Sequence, residues 1–285
     1  MPIYMDRHDL PSITARDVAK AHREDLKVQD RFNCRALTYW FDKERGSAFC
    51  LIEAPDKQSV VKLHDHSHGL VSGNIIEVDG KLVETFLGRI EDPSGPKRGH
   101  EELIEINEPA LRTILVMALQ NDTKLKFRLG KSDFYKSIRS CKNFSEEIAQ
   151  QFEGKLTTHE ENVWVIPFPS AYNATKCALE LNRKIPGVEQ KRSDAEADVL
   201  RWNIGLSAGD PVTKQENFFG EAIQLGRRLC GAAHNGSIVA SSLVQKLYKK
   251  EKLDELSSHA KIETLRQDEE QFLNDLMDVM DEAWN

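Results

Sequence analysis

CRALTYWFDKERGSAFCLIEAP, residues 34–55, reads as two β-strands joined by a turn. Both ends are rich in β-branched and aromatic residues, and the polar DKERG between them closes on Gly46. Upstream, PIYMDR is a short extended run, and TARDVAKAHREDLKVQDRF follows it with an approximate helical stripe of Val18, Ala21, Leu26 and Phe32. Thr14 stands where a helix N-cap belongs, with Asp17 three positions on, an approximate capping box. Downstream, Pro55 is expected to open a second helix, because a missing N–H costs nothing in the first turn. That helix runs through QSVVKLHDHSH and stops at Gly69, and NIIEVDG supplies a last strand. The order strand, helix, strand, strand, helix, strand is a ferredoxin-like unit over residues 1–79.

Residues 80–111 read as a linker, since EDPSGPKRGHEE is dominated by Pro, Gly and charge. A second unit, 112–249, opens on the buried-strand pattern RTILVMAL and continues with a helical stretch to about Phe152. A hairpin (KLTTHEENVWVIPF), a helix (PSAYNATKCALELNRKI), a strand (VLRWNIGLSAG), a helix (FFGEAIQLGRRLCGAA), a strand (GSIVAS) and a closing helix follow. The fold class is therefore α+β, two βαββαβ units in series.

The formal charge of −7 is unevenly placed. Residues 251–285 hold 11 acids and 3 bases, which leaves the first 250 residues nearly neutral with 35 acids and 36 bases. No strongly basic face is implied, which argues against nucleic acid as a partner. Residues 250–285 form an acidic segment in which Ile262, Leu265, Phe272, Leu273, Leu276, Met277, Met280 and Trp284 recur at mostly helical steps. It is expected to be a helix that packs on its own domain or meets a protein partner. No run approaches the ~20 apolar residues of a membrane helix, and no signal peptide is visible at MPIYMDRHDL. The five scattered cysteines suit a reducing, cytoplasmic setting.

LHDHSHG, residues 63–69, places His64, His66 and His68 within five positions. On a helix, positions four apart share a face and positions two apart do not, so His64 and His68 pair and His66 stands aside. Two imidazoles suit Ni²⁺, Zn²⁺ or Cu²⁺. Further donors must come from elsewhere, and His22 and Cys50 are the candidates. The same histidines also suit a helix C-terminus with no metal at all.

AHREDLKVQDRF, LTYWFDKERGSAFCLIEAP and LHDHSHGL resemble a small domain family of unknown function, one branch of which is described as nickel-binding. RTILVMAL, KLTTHEENVWVIPFPSAYNATKCAL, WNIGLSAGDPV and FFGEAIQLGRRLCGAAHNGSIVASSLV resemble the class III nucleotidyl cyclase catalytic domain. That second resemblance implies a homodimer, because cyclase sites form between two subunits. It also implies two Mg²⁺- or Mn²⁺-binding aspartates, which fall here at Ala118 and Asn162. The base-reading Lys falls near Thr158, the ribose-steadying Asn at Gln224 and the charge-stabilising Arg at Arg228. Ala118 offers a metal no oxygen and Asn162 only a neutral carbonyl, so the Mg/Mn site of the family is expected to be lost. Asp122, Glu160 and Glu161 are the neighbouring acids that an active cyclase would have to enlist. The leading expectation is a regulatory protein that joins a metal-binding module to an inactive cyclase-like domain sensing a nucleotide or other small ligand. An active cyclase and a dimerisation protein without a ligand are the alternatives.

Overall fold

The structure, a computed structural model, describes residues 1–70, 72–93, 105–120, 122–160, 162–190, 200–233 and 237–259. The apolar stripe from Ile262 to Trp284 lies outside these residues.

The first unit runs β1 (Ile3–Asp9), α1 (Ala15–Val28), a 3-10 turn (Gln29–Phe32), β2 (Arg35–Asp42), β3 (Ser47–Glu53), α2 (Lys57–Ser67) and β4 (Asn74–Val78). Its sheet is ordered β2-β3-β1-β4 and is antiparallel throughout. The start of α1 is a reciprocal capping box. The Asp17 N–H donates to Thr14 Oγ1 at 3.2 Å, and the Thr14 N–H donates to the Asp17 carboxylate at 3.3 Å. The start of α2 differs from expectation. Asp56 is its cap, accepting from the Ser59 N–H at 2.7 Å, and Pro55 precedes the cap instead of opening the helix. A carboxylate can satisfy one of the open N–H groups, which proline cannot. The helix ends as expected, with Gly69 at φ +73° and its N–H donating to His64 O at 2.8 Å.

The stretch expected as a linker opens on a helix, α3 (Gly80–Leu87). Asp79 caps it through the Lys81 and Leu82 N–H groups, and Gly88 ends it at φ +85°. Val83, Phe86 and Leu87 share a face at three- and four-residue spacing and are buried. The Pro- and Gly-rich portion, residues 94–104, is outside the described residues.

The second unit runs β5 (Arg112–Leu119), α4 (Asp122–Gln151), β6 (Thr157–Glu160), β7 (Val163–Phe168), α5 (Ala171–Gln190), β8 (Trp202–Gly209), α6 (Gly220–Ala232), β9 (Ile238–Ala240) and α7 (Ser242–His259). Its sheet is ordered β6-β7-β5-β8-β9, with β9 parallel to β8. In both sheets the first strand lies between the third and fourth, and the second lies beyond the third. That is the ferredoxin-like order, extended in the second unit by β9, α6 and α7.

Side chains on one face of the second sheet, including Leu115, Trp164 and Trp202, join the core under α4, α5 and α7. Those on the other face, Ile114, Val116 and Val165, join a core that crosses between the units. It includes Ala222, Ile223 and Cys230 of α6, Phe86 of α3, and Met5, Trp40, Phe49, Leu51 and Ile76 of the first sheet. The two sheets therefore share one apolar layer, and each large side chain buried there contributes about 1.5–3 kcal/mol. Helix α6 can lie so close to β8 only because Gly205 has no side chain. A Cβ there would stand 2.1 Å from Gly226 O and 2.6 Å from Cys230 N. At the rim of the junction, the nearly buried Asp210 accepts from Arg7 Nη1 at 3.2 Å and Arg45 Nη2 at 2.8 Å. Among the described residues no helix is long and apolar enough to cross a membrane.

Candidate metal centre

Strand β1 sits between β3 and β4, so both of its edges are paired, and both of its faces are covered by other elements. Alternation sends Met5 and Arg7 toward the second unit, while Tyr4, Asp6 and His8 face α1 and α2. The register sets Asp6 directly opposite Cys50 on β3. His64 comes down from α2, fully buried, and Asp25 comes from α1.

His64 Nε2 lies 2.8 Å from Asp6 Oδ2, and its Nδ1 lies 3.2 Å from Asp25 Oδ1 and 3.1 Å from His68 Nε2. Ser67 Oγ donates to Asp25 at 2.6 Å. His8 Nε2 is buried 3.2 Å from Asp6 Oδ2, in poor alignment for a hydrogen bond. One donor atom from each of Asp6, His8, Cys50 and His64 lies within 4.8 Å of all the others, and the same holds for Asp25, His64 and His68.

The electrostatics are those of buried charges holding one another. Burial disfavours a charged His64, but the Asp6 charge and hydrogen bonds to Asp25 and Asp6 outweigh it and push its pKa up to about 10. Burial likewise works to raise Asp6 and Asp25. The neighbouring His8 and His64 instead hold Asp6 far below the usual carboxylate range, and His64 and His68 do the same for Asp25. Cys50 goes the other way. Burial, with Asp6 and Asp25 nearby, keeps its thiol protonated well above the ordinary range.

The two donor groups are not equivalent. The Leu70 N–H donates to His68 Nδ1 at 3.1 Å, which leaves the proton of a neutral His68 on Nε2, facing Asp25. His68 is then a hydrogen-bond donor to the carboxylate. Asp6, His8, Cys50 and His64 present two imidazoles, a carboxylate and a thiol, a mixture that fits a borderline transition ion and not Mg²⁺ or Ca²⁺.

The positions implied by the cyclase resemblance lie on the second sheet. Ala118 pairs with Val163 on β7 and Asn203 on β8, and packs against the shared core. Asn162 precedes β7, and its backbone carbonyl accepts from the Leu119 N–H at 3.1 Å. Gln224 and Arg228 are exposed on α6. Thr158 pairs with Trp164. Its side chain, those of Asp122 and Glu160, and all of Glu161 lie outside the described residues.

Residues 4–78 match the nickel responsive protein SCO4226-like family. The crystal structure of SCO4226 from Streptomyces coelicolor A3(2) is 31% identical, covering 27% of this chain and 94% of that one, with a TM-score of 0.26. The guanylyl cyclase Cya2 is 18% identical over 48% of this chain and 78% of its own, TM-score 0.44. The adenylyl cyclase CyaB from P. aeruginosa is 16% identical over 49% and 81%, TM-score 0.43. No curated protein matches the chain significantly.

Within the SCO4226-like domain the structure places Cys50 beside His64 in one donor group and His68 beside His64 in the other. His22 stands apart from the donor groups, its Nε2 2.9 Å from Asp92 Oδ2 and its ring against Tyr39. His66 faces Arg31 and Phe32. Asp6, His8 and Asp25 were not identified from the sequence. The signal for the first two was the alternation of IYMDRHD, which puts Asp6 and His8 on one strand face. For Asp25 it was the three-residue step from His22 along α1.

Proposed function

We propose that the SCO4226-like domain binds one borderline divalent transition metal, nickel or zinc, through Asp6, His8, Cys50 and His64. The observation that carries this reading is the convergence, within 4.8 Å of one another, of one donor atom each from Asp6, His8, Cys50 and His64. Two imidazoles, a carboxylate and a thiol buried together are a donor mixture that suits such an ion. When bound, the metal supplies a positive charge in place of the protons now held by the cluster. Asp25 has a supporting part. A metal-binding imidazole usually gives its second N–H to a carboxylate, and Asp25 lies in that position at Nδ1 of His64. Ser67 and His68 in turn hold Asp25.

The second domain is, on this reading, a cyclase-like unit without cyclase chemistry that responds to the metal-binding module or to a small ligand. Ala118 and Asn162 support it, since neither supplies the anionic oxygen that a two-metal phosphoryl site needs. The resemblance also carries a pairing of two chains, which light scattering measures directly.

Calorimetric titration of the full chain with Ni²⁺ and Zn²⁺ tests the metal reading. Saturable uptake of one equivalent is expected, reduced by at least about tenfold in His8→Ala and His64→Ala. Unchanged affinity in both variants would discard it. Incubation with ATP or GTP and Mn²⁺ tests the second part, and clear cyclic-nucleotide formation would overturn it.

A further inference from the structure

A cleft of about 460 Å³ opens where the two domains meet. One wall is Arg7 and Asp9 of β1 with Asn74 of β4. The other is the end of β8, the loop that carries Asp210 and Lys214, and the first turns of α6. The cleft lies at the far end of β8 from the position implied for the cyclase metals. Gly209 pairs with Arg112, whereas Ala118 pairs with Asn203, about 20 Å along the strands. Clefts of roughly 300–1,000 Å³ that take small molecules gather at domain interfaces.

The charges in the cleft fall into two sets. Arg7, Arg45, Asp9 and Asp210 satisfy one another, with Arg7 Nε 2.9 Å from Asp9 Oδ1 and Asp210 taking Arg7 and Arg45 together. Lys214 and Glu221 are different. Both line the cleft and are exposed, and neither has an ion-pair partner among the described residues, so they do not pair with each other. Ala222 and Leu225, three positions apart on one face of α6, add an apolar surface beside them.

We infer that the cleft binds a small zwitterion, a compact molecule with a carboxylate at one end, an ammonium at the other and a short apolar spacer. A ligand with anionic groups alone would meet the like charge of Glu221, and one with cationic groups alone would meet Lys214. A zwitterion gives its carboxylate to Lys214 and its ammonium to Glu221, and lays its spacer on Ala222 and Leu225. From the opposite wall the Asn74 amide offers a donor and an acceptor. Because the walls belong to different domains, the occupant bridges them. Arg7 stands between Asp6 and His8 on β1, so the bridge reaches the strand that carries the buried cluster. The inference goes beyond the reading above and depends on neither the metal nor the state of the cyclase-like site.

Three molecules of one length make the test: 5-aminovalerate, glutarate and cadaverine. Each is titrated calorimetrically into the full chain with a chelator present. Saturable one-to-one binding of 5-aminovalerate is expected, at least about tenfold tighter than that of the other two. Lys214→Ala and Glu221→Ala, both at exposed positions, are each expected to weaken it about tenfold while the melting temperature stays the same. Glutarate or cadaverine bound as tightly as 5-aminovalerate would overturn the ligand class. Binding of 5-aminovalerate that either variant leaves unchanged would overturn the site. A wild type that binds none of the three would overturn the inference as a whole.

Discussion

Arg45 and Asp210 are 165 positions apart in the chain, and the guanidinium of one is forked over the carboxylate of the other across the domain junction. Arg7 joins the same carboxylate from β1. Asp210 is nearly buried, whereas Arg45 keeps two fifths of its side chain in water. Asp210→Ala removes the carboxylate that two guanidiniums share, leaving Arg7 with Asp9 alone at 2.9 Å. The exposure of Arg45 tempers the cost, and a loss of about 2 kcal/mol is expected. Urea unfolding of the full chain measures it, and a change below the error of the extrapolation would mean that the clamp is idle.

His64 gives the metal-free protein a definite pH dependence. Its folded pKa, about 10, lies above the roughly 6.5 of an unfolded histidine. The charged ring therefore contributes stability in full below the unfolded value, and that contribution is lost as pH rises through the folded value. In the presence of a chelator, wild type is expected to exceed His64→Gln in stability by a margin that shrinks from pH 6 to pH 10. A margin that is flat or grows would show that the Asp6–His64–Asp25 contacts do not hold the proton.

Gly205→Ala is expected to be among the most damaging single-methyl changes in the second domain. The atoms that an added Cβ would meet are backbone atoms of α6, which cannot swing aside as a side chain can. Overpacking of this kind costs about 1–3 kcal/mol or more. Thermal unfolding monitored by circular dichroism reads the loss. A melting temperature equal to wild type would mean that α6 shifts freely on the sheet.

Trp40 is fully buried in the layer shared by the two sheets, with Arg89 over its ring at 4.4 Å. Trp40→Ala is expected to cost about 3–5 kcal/mol. Because the layer belongs to both domains, the whole chain is expected to unfold in one transition, lower in the variant. Two separated transitions in the wild type would contradict a shared core.

Local signals carried much of the fold into the sequence. The Thr14–Asp17 capping box, Gly69 at the end of α2 and the run RTILVMAL of β5 each depend on a few neighbouring residues, and each was readable. Helix α3 was equally local, with Asp79 before it, Gly88 after it and Val83, Phe86 and Leu87 on one face. The prolines and charges that follow obscured it. The cluster was only half legible for a different reason. His64 and His68 are neighbours along one helix, but Asp6 meets Cys50 through strand register and His64 across 58 positions. Asp25 joins them only when α1 and α2 lie side by side on the sheet. Contacts of that kind are properties of the assembled tertiary structure.

Strand β1 holds Asp6 and His8 on one side and Met5 and Arg7 on the other. Every second residue thus serves a different master, and the spacing between them is a single peptide unit. A one-residue insertion or deletion ahead of Met5 that slipped the strand in its slot would exchange the two sides wholesale. The buried cluster would receive a thioether and a guanidinium, and the greasy seam between the domains would receive a carboxylate and an imidazole. The buried carboxylate–imidazole cluster and domain cohesion are consequently exposed to the same frame error, and neither can be altered by shifting this strand without damaging the other.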